Sequence, residues 1–209
     1  MLDTWFERTV KPRLTGQAHL IRYADDAVLI FERESDARRV LDVLPKRFGK
    51  YGLTLHPDKT RLVPFQRPRT KLGQQPPQGG RPGTFDLLGF THFWGRSQKG
   101  YWVVQRQTAK DRFTRALRAV ALWCRNHRHA PIGEQWMALS QKLRGHYAYY
   151  GITGNTPSLR RFRAEAERAW RKWLSRRSRH ARVPWECFAR CKKRYPLPPA
   201  RALRPWTAT

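Results

Sequence analysis

Two adjacent aspartates, Asp25 and Asp26, lie between two apolar runs near the N-terminus of this 209-residue chain. The runs in residues 19–31 are rich in β-branched and aromatic side chains, which predicts a β-hairpin with the acidic pair at its turn. Neighbouring carboxylates repel one another, so the pair is unfavourable unless a divalent cation neutralises it. Carboxylate oxygens favour Mg²⁺, and two such ions can activate a hydroxyl and stabilise a leaving pyrophosphate in phosphoryl transfer.

Lys59 is the second candidate for chemistry. It follows Asp26 by 33 residues, after a predicted helix and in the predicted turn His56-Pro57-Asp58-Lys59. A lysine at this place is able to contact a nucleotide phosphate or to donate a proton to pyrophosphate. An ordinary solvated turn lysine explains the same position. The sequence leaves both interpretations open.

The helix predicted after the hairpin has Ser35 as its N-cap and apolar side chains at helical spacing. Pro45 is expected to kink or shorten this helix, and Gly49 to end it. Two short strands are predicted beyond it, at residues 53–55 and 61–65. The apolar positions of the helix are Ala37, Val40, Leu41, Leu44 and Phe48.

Residues 66–84 are rich in Pro, Gly, Gln and Arg and have no periodicity, which predicts a linker. A second hairpin is predicted from residues 85–90 to residues 101–104, with its turn between Gly95 and Gly100. The first half of the chain is therefore expected to contain two hairpins, one helix and a linker.

Three helices are predicted in the rest of the chain. They cover residues 108–127, residues 133–149 approximately, and a segment that starts at Asn155-Thr156-Pro157, where a cap precedes a proline. Residues 183–209, rich in Pro and Arg, are expected to pack on these helices or to become ordered on a nucleic acid.

Basic side chains on the first and third predicted helices lie opposite the apolar ones. Tyr147, Tyr149 and Tyr150 are too close together to face one core, so one of them is a candidate for nucleic-acid contact, whereas the other helical aromatics are expected in the core. The basic candidates for nucleic-acid binding are Arg112, Arg115, Arg118, Arg160, Arg161, Arg163, Arg168, Arg171 and Lys172.

The net charge of +28 is distributed unevenly along the chain, with +6 in residues 1–95 and +22 in residues 96–209. Such an excess repels itself unless a polyanion neutralises it. Most of the basic residues are arginines, whose guanidinium groups bind phosphate bidentately and stack on bases. Nucleic acid is therefore favoured over an anionic membrane surface as the partner.

The sequence indicates an intracellular, cytoplasmic protein without a membrane segment. It has no stretch of the roughly 20 apolar residues that span a bilayer, and its first residues lack the layout of a signal peptide. Three cysteines are an odd and sparse set, typical of a reducing compartment. A zinc site from Cys187, Cys191 and His180 is conceivable, but the spacing is unusual and a fourth ligand is not evident.

The motifs follow a consistent order along nearly the whole chain. In the first part they are Leu2-Asp3-x-Trp5-Phe6, Lys11-Pro12-Arg13-Leu14-x-Gly16, Arg22-Tyr23-Ala24-Asp25-Asp26 and Tyr51-Gly52-Leu53-x-Leu55-x-Pro57-x-Lys59-Thr60. In the second part they are Phe85-x-x-Leu88-Gly89-Phe90 and Leu143-Arg144-Gly145-His146-Tyr147-x-x-Tyr150-Gly151. Together these motifs resemble the reverse transcriptases of group II introns, intron-encoded proteins that also act as maturases.

The resemblance implies an α+β fold, in which a partial polymerase palm of antiparallel hairpins and a helix precedes an α-helical thumb bundle. It implies RNA-directed DNA synthesis with Mg²⁺ on an RNA/DNA template-primer, and binding of intron RNA for splicing and mobility. By this resemblance Asp25 and Asp26 are metal ligands and Lys59 is the candidate general acid. Residues 88–90 form the primer grip, and the basic thumb helices bind duplex and intron phosphates.

The resemblance also implies a division of the chain. The expected parts are a partial palm at 1–65, a linker at 66–84, a primer-grip hairpin at 85–106, a helical thumb and maturase region at 107–182, and a basic extension at 183–209.

The family's palm has a third aspartate and a fingers region before the acidic hairpin, and this sequence does not contain them. Asp3 is not that aspartate, because it lies just before the lead-in helix of the hairpin. The isolated chain is therefore expected not to polymerise, unless a separate chain supplies the N-terminal half. The alternatives are an RNA-binding maturase remnant without catalysis and a non-functional fragment of a mobile element.

Overall fold

A computed structural model describes residues 2–68, 83–178 and 182–202 of the chain. Most of the predicted linker, His180 and the end of the predicted C-terminal extension, with Trp206, lie outside these residues. The chain divides into two compact units, residues 1–88 and residues 89–209. Within the described residues, two small antiparallel sheets and six α-helices confirm the α+β class.

The first unit begins with a continuous helical segment that changes its winding twice. An α-helical turn, α1 (Leu2–Trp5), continues into a π-helical turn (Phe6–Val10) and then a 3₁₀ turn (Lys11–Arg13). Phe6 is fully buried and Val10 nearly so. Their side chains form the centre of the first core.

The predicted acidic hairpin is confirmed. Strand β1 (Ala18–Tyr23) pairs antiparallel with β2 (Asp26–Phe31), and Tyr23 lies opposite Asp26. Alternate residues face opposite sides of such a ribbon. The face with Ala18, Leu20 and Leu29 packs on the first core, whereas the other face leaves Ile21 and Ile30 about half exposed.

Helix α2 (Glu34–Gly49) corrects the predicted N-cap and the predicted shortening at Pro45, and it ends at Gly49 as predicted. It begins after Arg33, which is the N-cap, so Ser35 lies inside the first turn and caps nothing. Pro45 does not shorten the helix, which continues to Gly49. The residues on either side of Pro45, Leu44 and Phe48, are held in the first core, and this burial offsets the hydrogen bond that proline removes.

The two short strands predicted at residues 53–55 and 61–65 are wrong, since both segments are irregular. A strand requires a neighbouring strand for its backbone groups, but here Leu53 N–H donates to the Phe48 carbonyl at 3.1 Å and the Pro64 carbonyl accepts from Gly83 N–H at 2.9 Å. The turn between them is confirmed, because Lys59 N–H and Thr60 N–H both donate to the His56 carbonyl. A three-residue strand, β3 (Phe85–Leu87), ends the first unit.

Asp36 fixes the chain just before β1. Its carboxylate is 2 % exposed and accepts hydrogen bonds from the Thr15 N–H, the Thr15 hydroxyl and the Gly16 N–H, at 2.9–3.0 Å. The pKa of Asp36 is lowered, chiefly by the Gly16 backbone hydrogen bond and also by the two bonds from Thr15. This buried acceptor ties α2 to the entrance of the acidic hairpin.

The second unit opens with a hairpin whose turn is at the predicted place. Strand β4 (Phe90–Arg96) pairs antiparallel with β5 (Trp102–Thr108), and Gly100 has a positive φ of 80° in the turn. The first strand is displaced from the prediction, because residues 88 and 89 form a turn and the long strand starts at Phe90. Two successive positive φ angles, 51° at Leu88 and 77° at Gly89, explain the break.

Three long helices follow, as predicted, and a fourth was not predicted. They are α3 (Lys110–Asn126), α4 (Ile132–Tyr150), α5 (Thr156–Leu174) and α6 (Trp185–Arg194). The apolar stripe of α5 is buried as its spacing predicts, with Trp170 fully enclosed. Helix α6 adds Phe188 to the same core, and Leu197 after it does likewise. The first part of the predicted extension is therefore packed on the helices.

Buried polar side chains join the ends of these helices. Asn155 precedes α5 as predicted, but its amide bonds the Thr108 backbone N–H and hydroxyl and the Tyr150 carbonyl instead of capping the helix. Gln135 accepts a hydrogen bond from the Trp170 indole at 2.9 Å inside the bundle. These bonds satisfy polar groups that would otherwise destabilise a closed core.

We expect Asp36→Ala to lower the melting temperature of the first unit by several degrees, because three donors of Thr15 and Gly16 lose their acceptor. The lowered pKa of Asp36 means that its contribution is present above the unfolded value of 3.8 and is lost as pH falls through the folded pKa. Thermal unfolding at pH 7 and below pH 4 checks both parts. Asp42→Ala, an exposed acid on the same helix, is the matched control.

Candidate functional site

The acidic pair lies at the tip of the first hairpin. Ala24 and Asp25 form the two-residue turn, and Asp26 is the first residue of β2. Both carboxylates are exposed. Ala24 has a positive φ of 50°, a conformation that costs a residue with a Cβ about 1 kcal/mol. The turn therefore combines backbone strain with charge crowding, as expected of a site whose geometry is set by function.

Arg22 holds this turn from the strand that precedes it. Its guanidinium donates to both carboxylate oxygens of Asp3, with the shortest contact at 2.8 Å, and to the Ala24 carbonyl at 3.1 Å. These hydrogen bonds lower the pKa of Asp3. Exposed ion pairs add little to stability, so the main effect of Arg22 is to fix the strained turn relative to α1.

Sequence reasoning placed Asp3 and Arg22 in matching motifs but assigned neither a role. The only available signal was the pairing of one acid with one base across 19 residues, which does not identify a contact without the fold. Asp3 and Arg22 come into contact because α1 and β1 lie side by side in the fold.

Lys59 lies in the turn after His56, and its side chain is exposed. Within the described part of the chain, no hydrogen bond or ion pair joins it to Asp25 or Asp26. The structure thus confirms the turn but does not bring the lysine into contact with the acids.

The metal that the acids imply has a partial set of ligands here. Among residues 2–68, 83–178 and 182–202, no three His, Cys, Asp or Glu side chains come close enough to hold an ion. Two exposed carboxylates nevertheless fit Mg²⁺, which commonly takes one or two carboxylates and fills its remaining positions with water and substrate phosphate. The same search gives no support to a zinc site at Cys187 and Cys191 within the described residues.

The turn before β4 approaches the end of α4. The Gly89 carbonyl accepts a hydrogen bond from Ala109 N–H at 2.9 Å, and a Cβ on Gly89 would lie 3.2 Å from the Tyr150 hydroxyl. Phe90 packs between Tyr149, stacked at 6.1 Å, and Tyr150, edge-on at 5.3 Å. Of the three tyrosines considered from sequence, Tyr147 is buried, whereas Tyr149 is 56 % exposed.

His146 lies one helical turn before Tyr150 on α4 and extends the same aromatic cluster. Its ring stacks on Phe162 with centroids 3.8 Å apart and lies 4.6 Å from Tyr150. Burial lowers the pKa of His146 to about 4. The neutral ring is therefore part of the packing between α4 and α5.

The basic candidates of α3 and α5 divide into two groups. Four have partners within the chain: Arg112 lies by Asp111, Arg168 pairs with Glu165, Arg163 pairs with Glu167, and Arg171 bonds the Val183 carbonyl and stacks on Trp185. The others, Arg115, Arg118, Arg160, Arg161 and Lys172, have exposed side chains. The second group is the more accessible to phosphate.

Comparison with protein families finds a similarity in the first part of the chain. Residues 2–92 match the family described as reverse transcriptase (RNA-dependent DNA polymerase), a range that includes the acidic hairpin and α2. The match supports the reverse transcriptase family for this part. No curated protein matches the chain. No helix in the described residues is long and apolar enough to cross a membrane.

We expect Arg22→Gln to increase hydrogen exchange in the acidic hairpin, because the Ala24 carbonyl and the Asp3 carboxylate both lose their donor. Asp3→Asn should have a smaller effect, since Arg22 keeps its bond to Ala24. Exchange mass spectrometry of peptides within residues 18–31 measures both. Arg8→Gln, an exposed arginine outside the contact, is the control; equal exchange in all variants would contradict the positioning role.

The lowered pKa of His146 predicts that stability falls with acidity. The unfolded chain takes up the proton near pH 6.5 and the folded chain near pH 4, so the contribution is complete above 6.5 and is lost between these values. The slope is at most about 1.4 kcal/mol per pH unit. Denaturation at pH 7, 6 and 5 checks it. His146→Gln should flatten the dependence, whereas exposed His129→Gln should not.

Proposed function

We propose that this chain is the C-terminal part of a group II intron reverse transcriptase and maturase, with RNA-directed DNA synthesis at the acidic hairpin and intron RNA bound by the helical unit. The observation that supports it most directly is the exposed Asp25–Asp26 pair on a strained turn, inside the range that matches the reverse transcriptase family. The motif order along both units supports the finer assignment to intron-encoded proteins.

In this proposal the two carboxylates supply hard oxygen ligands for Mg²⁺ at the tip of the hairpin. Asp25 and Asp26 would hold the ion, which would supply the positive charge needed to activate a primer hydroxyl and to stabilise a leaving pyrophosphate. Arg22 keeps the turn, and hence both carboxylates, in one orientation. An orientation fixed before the substrate arrives reduces the entropy lost on reaching the transition state.

Other residues act on the substrate. Lys59, exposed and without a partner in its turn, is the general acid that donates a proton to pyrophosphate. Residues 88–90 support the primer end. The positive φ angles of Leu88 and Gly89 form the backbone turn at this place. The basic faces of α3 and α5 bind the phosphates of the template-primer and of intron RNA.

Two carboxylates are able to bind Mg²⁺ weakly, but they position no nucleotide without a third palm aspartate and the fingers, so the 209 residues by themselves do not polymerise. A separate N-terminal half, with the fingers and a further palm aspartate, would complete it. One observation favours a second function, an RNA-binding maturase-type module without catalysis: no three metal-binding side chains meet within the described residues, while the helical unit is strongly basic.

Primer extension on an RNA template with Mg²⁺ tests the polymerase assignment. We expect no product from the chain alone, and product when a reverse transcriptase N-terminal half is supplied in trans. Asp25→Asn should then reduce extension by at least a thousandfold, since it removes a metal ligand. Asp42→Asn is the matched exposed control. If the chain alone extends the primer and Asp25→Asn reduces this extension, the proposal that the chain needs a separate N-terminal half is wrong.

Metal binding gives an independent measurement that does not need polymerisation. Mn²⁺, followed by its electron paramagnetic resonance signal, should bind the chain weakly at the hairpin, and Asp25→Asn or Asp26→Asn should weaken it several-fold further. Without metal, Asp25→Asn should slightly raise the melting temperature, because it relieves repulsion between the carboxylates. Intact RNA binding with neither metal dependence nor extension would favour the maturase-type module.

A further inference from the structure

Three cationic side chains surround one tryptophan near the C-terminal ends of α3 and α5. The guanidinium carbons of Arg125 and Arg176 lie 5.8 and 5.2 Å from the centre of the Trp173 ring, and the Lys172 ammonium lies 5.7 Å from it. All three cationic side chains are exposed, and the ring is partly exposed. We call these four residues the Trp173 cluster.

The Trp173 cluster has no counter-charge of its own. All five acidic side chains of residues 96–209 lie in the described part of the chain, and none pairs with Arg125, Lys172 or Arg176. Asp111, Glu165 and Glu167 are engaged by Arg112, Arg168, Arg163 and Lys192. Three of the five carboxylates thus neutralise cations elsewhere, and no ion pair joins Glu134 or Glu186 to the cluster, which stays positive.

Cation–π attraction holds each of the three cations near the ring, but this attraction is weak at an exposed site. Repulsion between the three charges opposes it. The carbonyls at the C-terminal ends of α3 and α5 favour nearby cations as well, because Arg125 and Lys172 are in the last turns of these helices and Arg176 follows α5. An anion between the side chains removes the repulsion.

A second tryptophan of the same unit also has a cation beside its ring. Lys142 lies 5.6 Å from the Trp123 ring, on which His127 stacks at 4.6 Å. Arg177 is not available, because it binds the carbonyls of Arg128 and Ala130 and so fixes the loop between α3 and α4. Loop and cluster are thereby held together on one end of the bundle.

We infer that the Trp173 cluster is a binding site for consecutive phosphates of a nucleic-acid strand, with Arg125, Lys172 and Arg176 as the ligands. Arginine and lysine around an aromatic ring suit a polynucleotide, because the cations bind phosphate and the ring offers a surface to a base. The inference rests on the proposed function only in taking a polynucleotide as the ligand. It adds Arg125 and Arg176 to the proposed nucleic-acid interface, which already includes Lys172, and it identifies them as the cations beside Lys172.

Fluorescence anisotropy of a labelled 20-nucleotide single-stranded RNA, across a range of salt concentrations, tests the site. The triple variant R125Q/K172Q/R176Q should bind roughly ten- to a hundredfold more weakly near 0.15 M salt. Its slope of log affinity against log salt should be smaller by about 2, since each lost phosphate contact contributes about 0.7 for a single strand.

The matched control is R190Q/K193Q/R194Q on α6, which removes the same charge from exposed positions of the same unit. We expect its salt slope to change by much less. Equal losses in the two variants would overturn the inference, because they would show general electrostatic attraction without a site. A lower melting temperature with unchanged RNA affinity would also overturn the inference. It would show that the three cations stabilise the ends of the helices and do not bind RNA.

Two further measurements keep the result decisive. If the triple variant does not fold, the single variants R125Q and R176Q should each reduce the slope by about 0.7. Tripolyphosphate should compete poorly with RNA; equally strong competition would mean that the site binds free phosphates instead of a strand. A smaller salt slope in the triple variant, together with failed primer extension by the reconstituted chain, would contradict the polymerase proposal alone. An unchanged salt slope, together with successful primer extension, would contradict the inference about the Trp173 cluster alone.

Discussion

Repulsion between like charges is the constraint on which both functional surfaces depend. Asp25 and Asp26 crowd two negative charges on one exposed turn, and the Trp173 cluster crowds three positive charges around one ring. In each place the fold holds charges that would separate if they were free to move. Because folding has already brought these charges together, a ligand of opposite charge binds without a further free-energy cost for assembling them.

The cores make this possible because they fix the backbone that bears the charges. In the first unit, Phe6, Val40 and Leu44 pack on the inner face of the acidic hairpin. In the second, Trp170 and Phe188 are fully buried between α5 and α6. Polar anchors then set the details: Asp36 ties the entrance of the hairpin, and Arg177 ties the loop between α3 and α4.

Periodic features were predictable from the sequence, whereas features that depend on contacts between distant residues were not. The acidic hairpin and the buried stripe of α5 follow from alternation and helical spacing, which are local signals. The Arg22–Asp3 contact, the bonds of Asp36 and the cations around Trp173 join residues that are far apart in sequence. Helix α6 was missed because its ten residues follow a basic stretch, precede a proline-rich one and bury a single Phe188.

The distribution of acids in the helical unit explains which basic residues remain for a partner. Arg163 and Arg168 belong to the same basic face as Arg160 and Arg161, and composition alone does not separate them. The structure does, because Glu165 and Glu167 lie one helical turn away and neutralise the first two. A phosphate must displace a carboxylate to reach those arginines but meets no such competition at Arg125 or Arg176. The net charge therefore suggests more basic residues for phosphate binding than are available, because carboxylates neutralise some of them. The positions of the carboxylates in residues 96–209 determine which basic residues remain available.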